Sequence, residues 1–141
     1  DWDKCVNRVN HLTCGHYNVS RIKQYLSYAP SNLTWLAMGG MMYVKDDKPF
    51  DFPGNSITLE KFHTLAQQRI CQQDWVEINN EYQTSEYLNF FCLYPAYYYS
   101  LIVNGFGFSP SQEVQEVPSK VTAGWTMGVV INSLLSSNKA W

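Results

Sequence analysis

The clearest pattern of apolar and polar positions lies between residues 58 and 70. Its apolar residues recur with the 3.6-residue period of an amphipathic helix; they are Leu59, Phe62, Leu65, Ala66 and Ile70. The hydroxyl of Ser56 or Thr58 can cap the start of such a helix, and Glu60 suits its first turn. The pattern therefore predicts a helix that begins near Thr58 and buries one face.

A second helical pattern runs from about Ser85 to Asn104. One apolar stripe contains Leu88, Phe91, Pro95, Tyr98 and Ile102, and an adjacent one contains Tyr87, Tyr94, Tyr97 and Leu101. Pro95 lacks a backbone N–H and clashes with the preceding turn, so it should kink this helix or divide it in two. Gly105 can end the helix because glycine readily adopts a positive φ.

Shorter patterns predict three further elements. The apolar run from Thr34 to Val44 predicts a buried strand or a strand-to-helix junction, and Gly39 and Gly40 within it allow a backbone or a ligand to approach closely. A short helix is predicted over 74–78, and a last helix over about 122–136.

Composition narrows the classes of protein to which the chain can belong. Its 141 residues can form one domain with a real core, and aromatic residues are plentiful, with ten Tyr, seven Phe and five Trp. The net charge is −2 and no stripe of Lys or Arg occurs, which disfavours nucleic acid as a partner. No apolar run approaches the roughly 20 residues that span a bilayer, so no membrane span is predicted in this chain.

Four cysteines suggest disulfides rather than a metal site. They are Cys5, Cys14, Cys71 and Cys92. None belongs to a Cys-x-x-Cys pair, and the three histidines are not spaced to complete a zinc site with them. Sequence alone leaves three connectivities open. Asn18 and Asn32 each begin a glycosylation triplet, and together with paired cysteines they favour a secretory or extracytoplasmic compartment.

Several segments occur in an order that resembles one known family. They are the Cys5–Cys14 segment, Leu36-Ala37-Met38-Gly39-Gly40-Met41-Met42-Tyr43, Cys71-Gln72-Gln73-Asp74-Trp75, Tyr87 to Phe108 with its Gly105-Phe106-Gly107-Phe108 turn, and Gly124-Trp125-Thr126-Met127-Gly128. The ordered set resembles the C-terminal part of the apyrases, the ecto-nucleoside triphosphate diphosphohydrolases. The resemblance covers nearly the whole chain.

The resemblance implies a fold and a disulfide pattern. The fold class expected is α/β, the C-terminal part of the second lobe of an actin-like (RNase H-like) two-lobed fold, helix-rich with few strands. Within 1–141, residues 1–35 would form a disulfide loop and an irregular entry, and residues 36–141 the strand, helices and closing Gly-Trp helix. The implied pairs are Cys5–Cys14 and Cys71–Cys92, and the second would pin two helices side by side.

In the family, two aromatic side chains sandwich the nucleobase. By position they are Tyr43 and Phe91 here, and Tyr87 replaces a basic residue found in many relatives. Gly39 and Gly40 would widen the slot. Packing is the competing explanation for each of the two aromatics. Gly124, Trp125 and Gly128 are expected to close the lobe, Trp125 by packing rather than by touching a ligand.

The phosphate-binding signatures of the family are absent from this sequence. No Asp-x-Gly-Ser and no Gly-Gly-x-Ser occurs, so the chain contributes no catalytic and no metal-binding residue and should be inactive alone. The N-terminal part of the same enzyme, as another chain or a missing segment, is the expected partner. It would hold the phosphates of a nucleoside tri- or diphosphate and a divalent cation, Mg²⁺ or Ca²⁺.

Three titratable residues are expected at the surface. His63 lies off the apolar stripe and is interpreted as a surface residue, and Glu113 and Glu116 as a solvated acidic loop. The alternative function is a catalytically inactive, secreted apyrase-like module that binds a sugar or a protein, or a purely structural subunit of an extracellular assembly.

Overall fold

A computed structural model describes residues 1–16, 20–30, 32–37, 40–41, 44, 48, 50, 52, 54–83 and 86–117. The α-helices in these ranges that have defined bounds are α1 (Trp2–Asn10), α2 (Ser20–Leu26), α3 (Leu59–Ala66), α4 (Trp75–Tyr82) and α5 (Leu93–Tyr99). Wider π-helical turns follow three of them, at His11–His16, Gln67–Cys71 and Ser100–Gly105, and a 3₁₀ turn spans Leu88–Phe90. The strands are β1 (Trp35–Ala37), β2 (Ser56–Thr58) and β3 (Glu113–Glu116).

The N-terminal region is helical, which corrects the expectation of an irregular entry over 1–35. Asp1 caps α1 by accepting a hydrogen bond from the backbone N–H of Lys4 at 3.3 Å. Trp2 and Val9 are buried, while most of the other α1 side chains are polar. Because only a few apolar residues mark the buried face, the hydrophobic pattern was too sparse to reveal this helix.

Helix α1 packs against α5 and its π-helical extension. At the end of α1 the side-chain oxygen of Asn10 accepts hydrogen bonds from the Ser100 hydroxyl and, at 3.0 Å, from Nδ2 of Asn104. These bonds join two helices that are about 90 residues apart in sequence. The N-terminal helix is therefore part of the main core.

Helix α3 confirms the strongest sequence prediction. Oγ1 of Thr58 accepts a hydrogen bond from the backbone N–H of Lys61 at 3.2 Å and so caps the helix start. Leu59, Phe62 and Ala66 are fully buried. The short helix predicted from residue 74 is also present as α4, where Asp74 accepts from the backbone N–H of Val76 at 2.8 Å.

The long helix predicted near Pro95 is divided, as the proline suggested. The 3₁₀ turn Leu88–Phe90 is separated from α5, and Pro95 lies in the first turn of α5, where a missing N–H costs least. The residue with positive φ at the far end is Gly107 (φ 81°), not Gly105 as predicted, because the helix continues as a π-helical turn through Gly105.

The three strands form one small sheet in the order β1-β3-β2. Strand β1 runs parallel to β3, and β2 runs antiparallel to it. Val114 and its register partner Ile57 are both buried. Glu113 and Glu116 therefore belong to the central strand, which corrects their interpretation as a solvated loop, and the Glu113 carboxylate accepts a hydrogen bond from the Ser56 hydroxyl.

The run around Gly40 is a strand-to-helix junction, one of the two structures expected for it. Strand β1 ends at Ala37, and Gly40, Met41 and Val44 are helical. The described part of the chain thus combines many helices with few strands, as expected for an α/β fragment. The last predicted helix, over 122–136, lies outside the described residues.

One disulfide joins Cys71, at the end of the extension of α3, to Cys92, just before α5, with a Cα–Cα distance of 5.1 Å. This is the pairing that the family resemblance implied. Cys5 is a free cysteine in the described structure, and its Sγ lies 3.9 Å from Sγ of Cys92. The side chain of Cys14 lies outside the described residues, so the Cys5–Cys14 pairing stays a prediction.

His63 is part of an aromatic stack, which corrects its interpretation as a surface residue. The Trp2 ring stacks on the His63 imidazole at 4.4 Å between centroids and 22° between planes. The Tyr99 ring lies 4.9 Å from the His63 ring and 5.8 Å from the Trp2 ring, so the three rings form one cluster. Nε2 of His63 is buried without a hydrogen-bond partner among the described residues. Burial lowers the pKa of His63 from its ordinary value of 6.5, against the opposing effects of Asp3, Gln67 and Glu60.

We expect this histidine to make stability depend on pH. With its pKa lowered in the folded state, the unfolded chain binds the proton more tightly below pH 6.5. The contribution of His63 to the free energy of unfolding is therefore fully present above pH 6.5. It is lost as the pH falls from 6.5 to the lower pKa of the folded state. Urea unfolding between pH 7.5 and 5 should show a steeper loss of unfolding free energy in the wild type than in His63→Gln. The exposed His11→Gln variant is the control, and equal slopes for all three proteins would contradict the assignment.

We expect the disulfide to contribute on the order of 3 kcal/mol by restricting the unfolded chain. The double variant Cys71→Ser, Cys92→Ser should lose that amount of unfolding free energy in urea at neutral pH. Reductant should lower the stability of the wild type towards that of the double variant and leave the double variant unchanged. Wild-type stability that resists complete reduction would contradict the prediction.

Candidate functional site

A cavity of about 390 Å³ lies between α5 with its preceding turn and the segment from Gly40 to Phe50. Its lining residues are Gly40, Val44, Phe50, Tyr87, Phe91, Tyr94 and Tyr98. Five of these seven carry an aromatic ring. The cavity is therefore shaped mainly by flat apolar surfaces.

One wall is a stripe of aromatic side chains. Tyr87, Phe91, Tyr94 and Tyr98 follow each other at spacings of four, three and four residues. Such spacing places side chains on one face of a helix. The stripe continues across the break between the 3₁₀ turn and α5, so it combines members of both stripes noted in the sequence.

The facing wall holds Phe91 in place. Phe50 is 1% exposed and Phe91 is 4% exposed. Their rings meet edge to face, with centroids 5.7 Å apart and planes at 64°. This is a favoured arrangement of aromatic quadrupoles, worth roughly 0.5–1.5 kcal/mol beyond burial. Phe91 is thus a preorganised surface of the cavity as well as a member of the core.

Gly40 lies directly against Tyr98. A Cβ added to Gly40 would lie 1.6 Å from the hydroxyl oxygen of Tyr98, far inside contact distance. Only glycine therefore fits here without displacing the phenol. The expectation that Gly40 widens the slot is corrected in part, because Tyr98 occupies the space that a side chain would otherwise fill.

The mouth of the cavity is lined by exposed rings. Tyr87 is 55% exposed and Tyr94 is 36% exposed. Phe90 stacks on Tyr94, with centroids 5.5 Å apart and planes at 19°. The exposed part of the cavity lining is therefore aromatic as well.

The described lining carries no charged side chain. Burial raises the pKa of Tyr98, and the neighbouring Tyr97 and Tyr94 raise it further, so its phenol stays protonated at neutral pH. A neutral aromatic cavity suits an uncharged planar ring and offers nothing for the charge of a phosphate. Within the described ranges, no group of three or more His, Cys, Asp or Glu could hold a metal ion.

The structure brings two of the three predicted base-binding residues together. Tyr87 and Phe91 both line the cavity. Tyr43 lies outside the described residues, but Gly40 and Val44, which flank it in sequence, line the cavity as well.

Of the predicted glycosylation and lobe-closing residues, Asn32 lies among the described residues. Asn32 is exposed in a turn, as a glycosylation acceptor must be. Asn18, Gly124, Trp125 and Gly128 lie outside the described residues.

Sequence reasoning missed four members of the cavity: Val44, Phe50, Tyr94 and Tyr98. The sequence places the two tyrosines on the apolar stripes of the predicted helix and gives them no role in binding. Their spacing from Phe91 was the available signal, since three and seven residues return to the same helical face. Phe50 carried no such signal because it lies in a loop that only tertiary structure brings to the helix.

Comparison with known proteins decides the family. The model of the GDA1/CD39 (nucleoside phosphatase) family matches residues 1–140, which is nearly the whole chain. The chain belongs to the GDA1/CD39 family. The resemblance to the apyrases seen in the sequence is thereby confirmed. A search of curated individual proteins finds no match.

Membership of the GDA1/CD39 family places the chain among nucleoside phosphatases. A cavity suited to a planar neutral ring is consistent with a nucleoside as the ligand. In the part of the chain that the structure describes, no helix is both long enough and apolar enough to cross a membrane.

Proposed function

We propose that this chain is the C-terminal part of an extracytoplasmic nucleoside tri- and diphosphate phosphohydrolase and supplies the slot for the nucleobase. The observation that carries the proposal is the aromatic cavity, in which Tyr87 and Phe91 lie on the same wall. The GDA1/CD39 match supplies the class of substrate.

The cavity supports binding of the base by stacking. Stacking on an aromatic side chain contributes about 1–3 kcal/mol per base and tolerates different bases, because every base has a π-face. Phe91 is held edge to face by Phe50, so its ring is already fixed before a base enters the cavity and little conformational entropy is lost on binding. With no charged side chain in the described lining, ionic recognition of one particular base is not expected there.

The phosphate chemistry belongs to the N-terminal part of the enzyme under this proposal. The chain's sequence holds no glycine-rich phosphate cradle, and its described residues do not fit a divalent cation. A Mg²⁺ or Ca²⁺ ion held by the N-terminal part would neutralise phosphate charge during hydrolysis. This chain would bind the base, close the lobe and orient the nucleotide, and it would be inactive alone.

An extracytoplasmic location fits two features of the chain. The Cys71–Cys92 disulfide persists in oxidising compartments. Asn32, the first residue of a glycosylation triplet, is exposed in a turn.

We expect loss of either stacking ring to weaken nucleotide binding. In the assembled enzyme, Tyr43→Ala and Phe91→Leu should each raise the KM for ATP and ADP by about fivefold or more, from a stacking loss of about 1–3 kcal/mol. The kcat should change less, because the rings contact the base and not the reacting phosphate. Leucine keeps apolar volume at position 91, so the core is preserved.

Phosphate release measured over a range of nucleotide concentrations separates the two kinetic constants. Phe106→Leu is the matched control, since Phe106 is a half-buried aromatic that does not line the cavity. An unchanged KM in both cavity variants would refute the stacking assignment.

A second function is favoured by exposed aromatic rings on the surface of α5 and the turn before it. Tyr87, Phe90, Tyr94 and Tyr97 are all partly open to solvent, as in a catalytically inactive, secreted module that binds a sugar or a protein. A phosphate-release assay on ATP and ADP with Mg²⁺ or Ca²⁺ separates the two functions. Phosphate release by the full-length protein supports the hydrolase, and its absence with intact ligand binding supports the module.

A further inference from the structure

Tyr98 is the most enclosed polar side chain in the cavity lining. It is half-buried, whereas Tyr87 and Tyr94 stand at the exposed mouth. Its hydroxyl lies against Gly40, and it has no hydrogen-bond partner among the residues that the structure describes. A partly buried hydroxyl without a partner has hydrogen-bonding capacity available for a ligand.

We propose that the Tyr98 hydroxyl hydrogen-bonds the edge of the bound nucleobase and thereby makes the slot select among bases. The proposal rests on the proposed function, because it takes the cavity to be the base-binding slot. It assigns selectivity to a residue on the aromatic wall that is separate from the two stacking rings, Tyr43 and Phe91.

The position of the hydroxyl suits this role. Tyr98 lies in α5, seven residues after Phe91, which precedes that helix, and both side chains line the cavity. A base stacked on Phe91 therefore presents its face to Phe91 and an edge towards the next turns of the helix. Gly40 admits the phenol at this place, since a Cβ there would overlap its oxygen.

The position of the Tyr98 hydroxyl inside the cavity explains why it would discriminate among bases. Hydroxyls at the mouth exchange hydrogen bonds with water, so a base gains little from them. A base that fills the cavity displaces water from this half-buried hydroxyl, and a base whose edge cannot pair with it leaves it unsatisfied. Bases differ in the donors and acceptors on their edges, so the penalty differs among them. Stacking then supplies affinity common to all bases, and Tyr98 supplies the difference.

The test is calorimetric binding of adenosine, guanosine, cytidine and uridine to the full-length protein. These nucleosides carry no phosphate, so the result does not depend on hydrolysis. Tyr98→Phe keeps the ring and removes only the hydroxyl. We expect it to weaken the tightest-bound nucleoside by about three- to tenfold and the weakest by less than twofold, so that the spread of Kd values narrows.

Two further variants sharpen the experiment. Gly40→Ala should displace the Tyr98 hydroxyl and narrow the spread in the same way. Tyr97→Phe removes a hydroxyl from the adjacent tyrosine, which does not line the cavity, and should leave all four Kd values unchanged.

Each outcome decides between the two proposals. If Phe91→Leu weakens all four nucleosides and Tyr98→Phe narrows the spread, both stand. If Phe91→Leu weakens binding and Tyr98→Phe changes all four Kd values equally or none, the slot stands and the role of Tyr98 is overturned. If the wild type binds none of the four, the slot is refuted, and the role of Tyr98 with it.

Discussion

The covalent link between Cys71 and Cys92 is the constraint on which the candidate site depends. It ties the end of the α3 extension to the residue immediately before α5. Phe91 is the neighbour of Cys92 in sequence, so the bond fixes the backbone from which the buried ring of the cavity projects. Without a bond at this place, the break between the 3₁₀ turn and α5 would let the aromatic stripe shift along the helix axis.

The core next to the cavity contains two edge-to-face contacts between aromatic rings. Phe50 meets Phe91 edge to face, and Phe52 meets Phe62 of α3 in the same manner. Rings in such contacts have few rotamers and resist displacement. The same residues that stabilise the fold therefore present a rigid surface to a ligand. Burial and binding are not competing explanations for Phe91, since one face of a ring can pack while another part lines a cavity.

Several parts of the fold were predictable from sequence because the signal was local. Thr58 and Asp74 mark the starts of α3 and α4, because their side chains cap the first turn of each helix. Pro95 predicts that the long helix is kinked or divided. Helix α1 was missed because its buried face is marked by only a few apolar residues, and the strand with Glu113 and Glu116 because its pairing partners lie far away in sequence. His63 looked like a surface residue because the Trp2 ring that covers it belongs to another helix.

The sequence by itself determined the family, through the order of motifs from Cys5 to Gly128, and it predicted helices α3 and α4 and two of the aromatic rings that line the cavity, Tyr87 and Phe91. Those are properties of nearby residues, or of patterns retained along a chain. Tertiary structure alone decided that Tyr98 and Phe50 join the cavity lining, that Gly40 makes room for the Tyr98 hydroxyl, and that Cys5 lies beside Cys92. These depend on contacts between distant segments, and local pattern carries no information about which distant surfaces pack together.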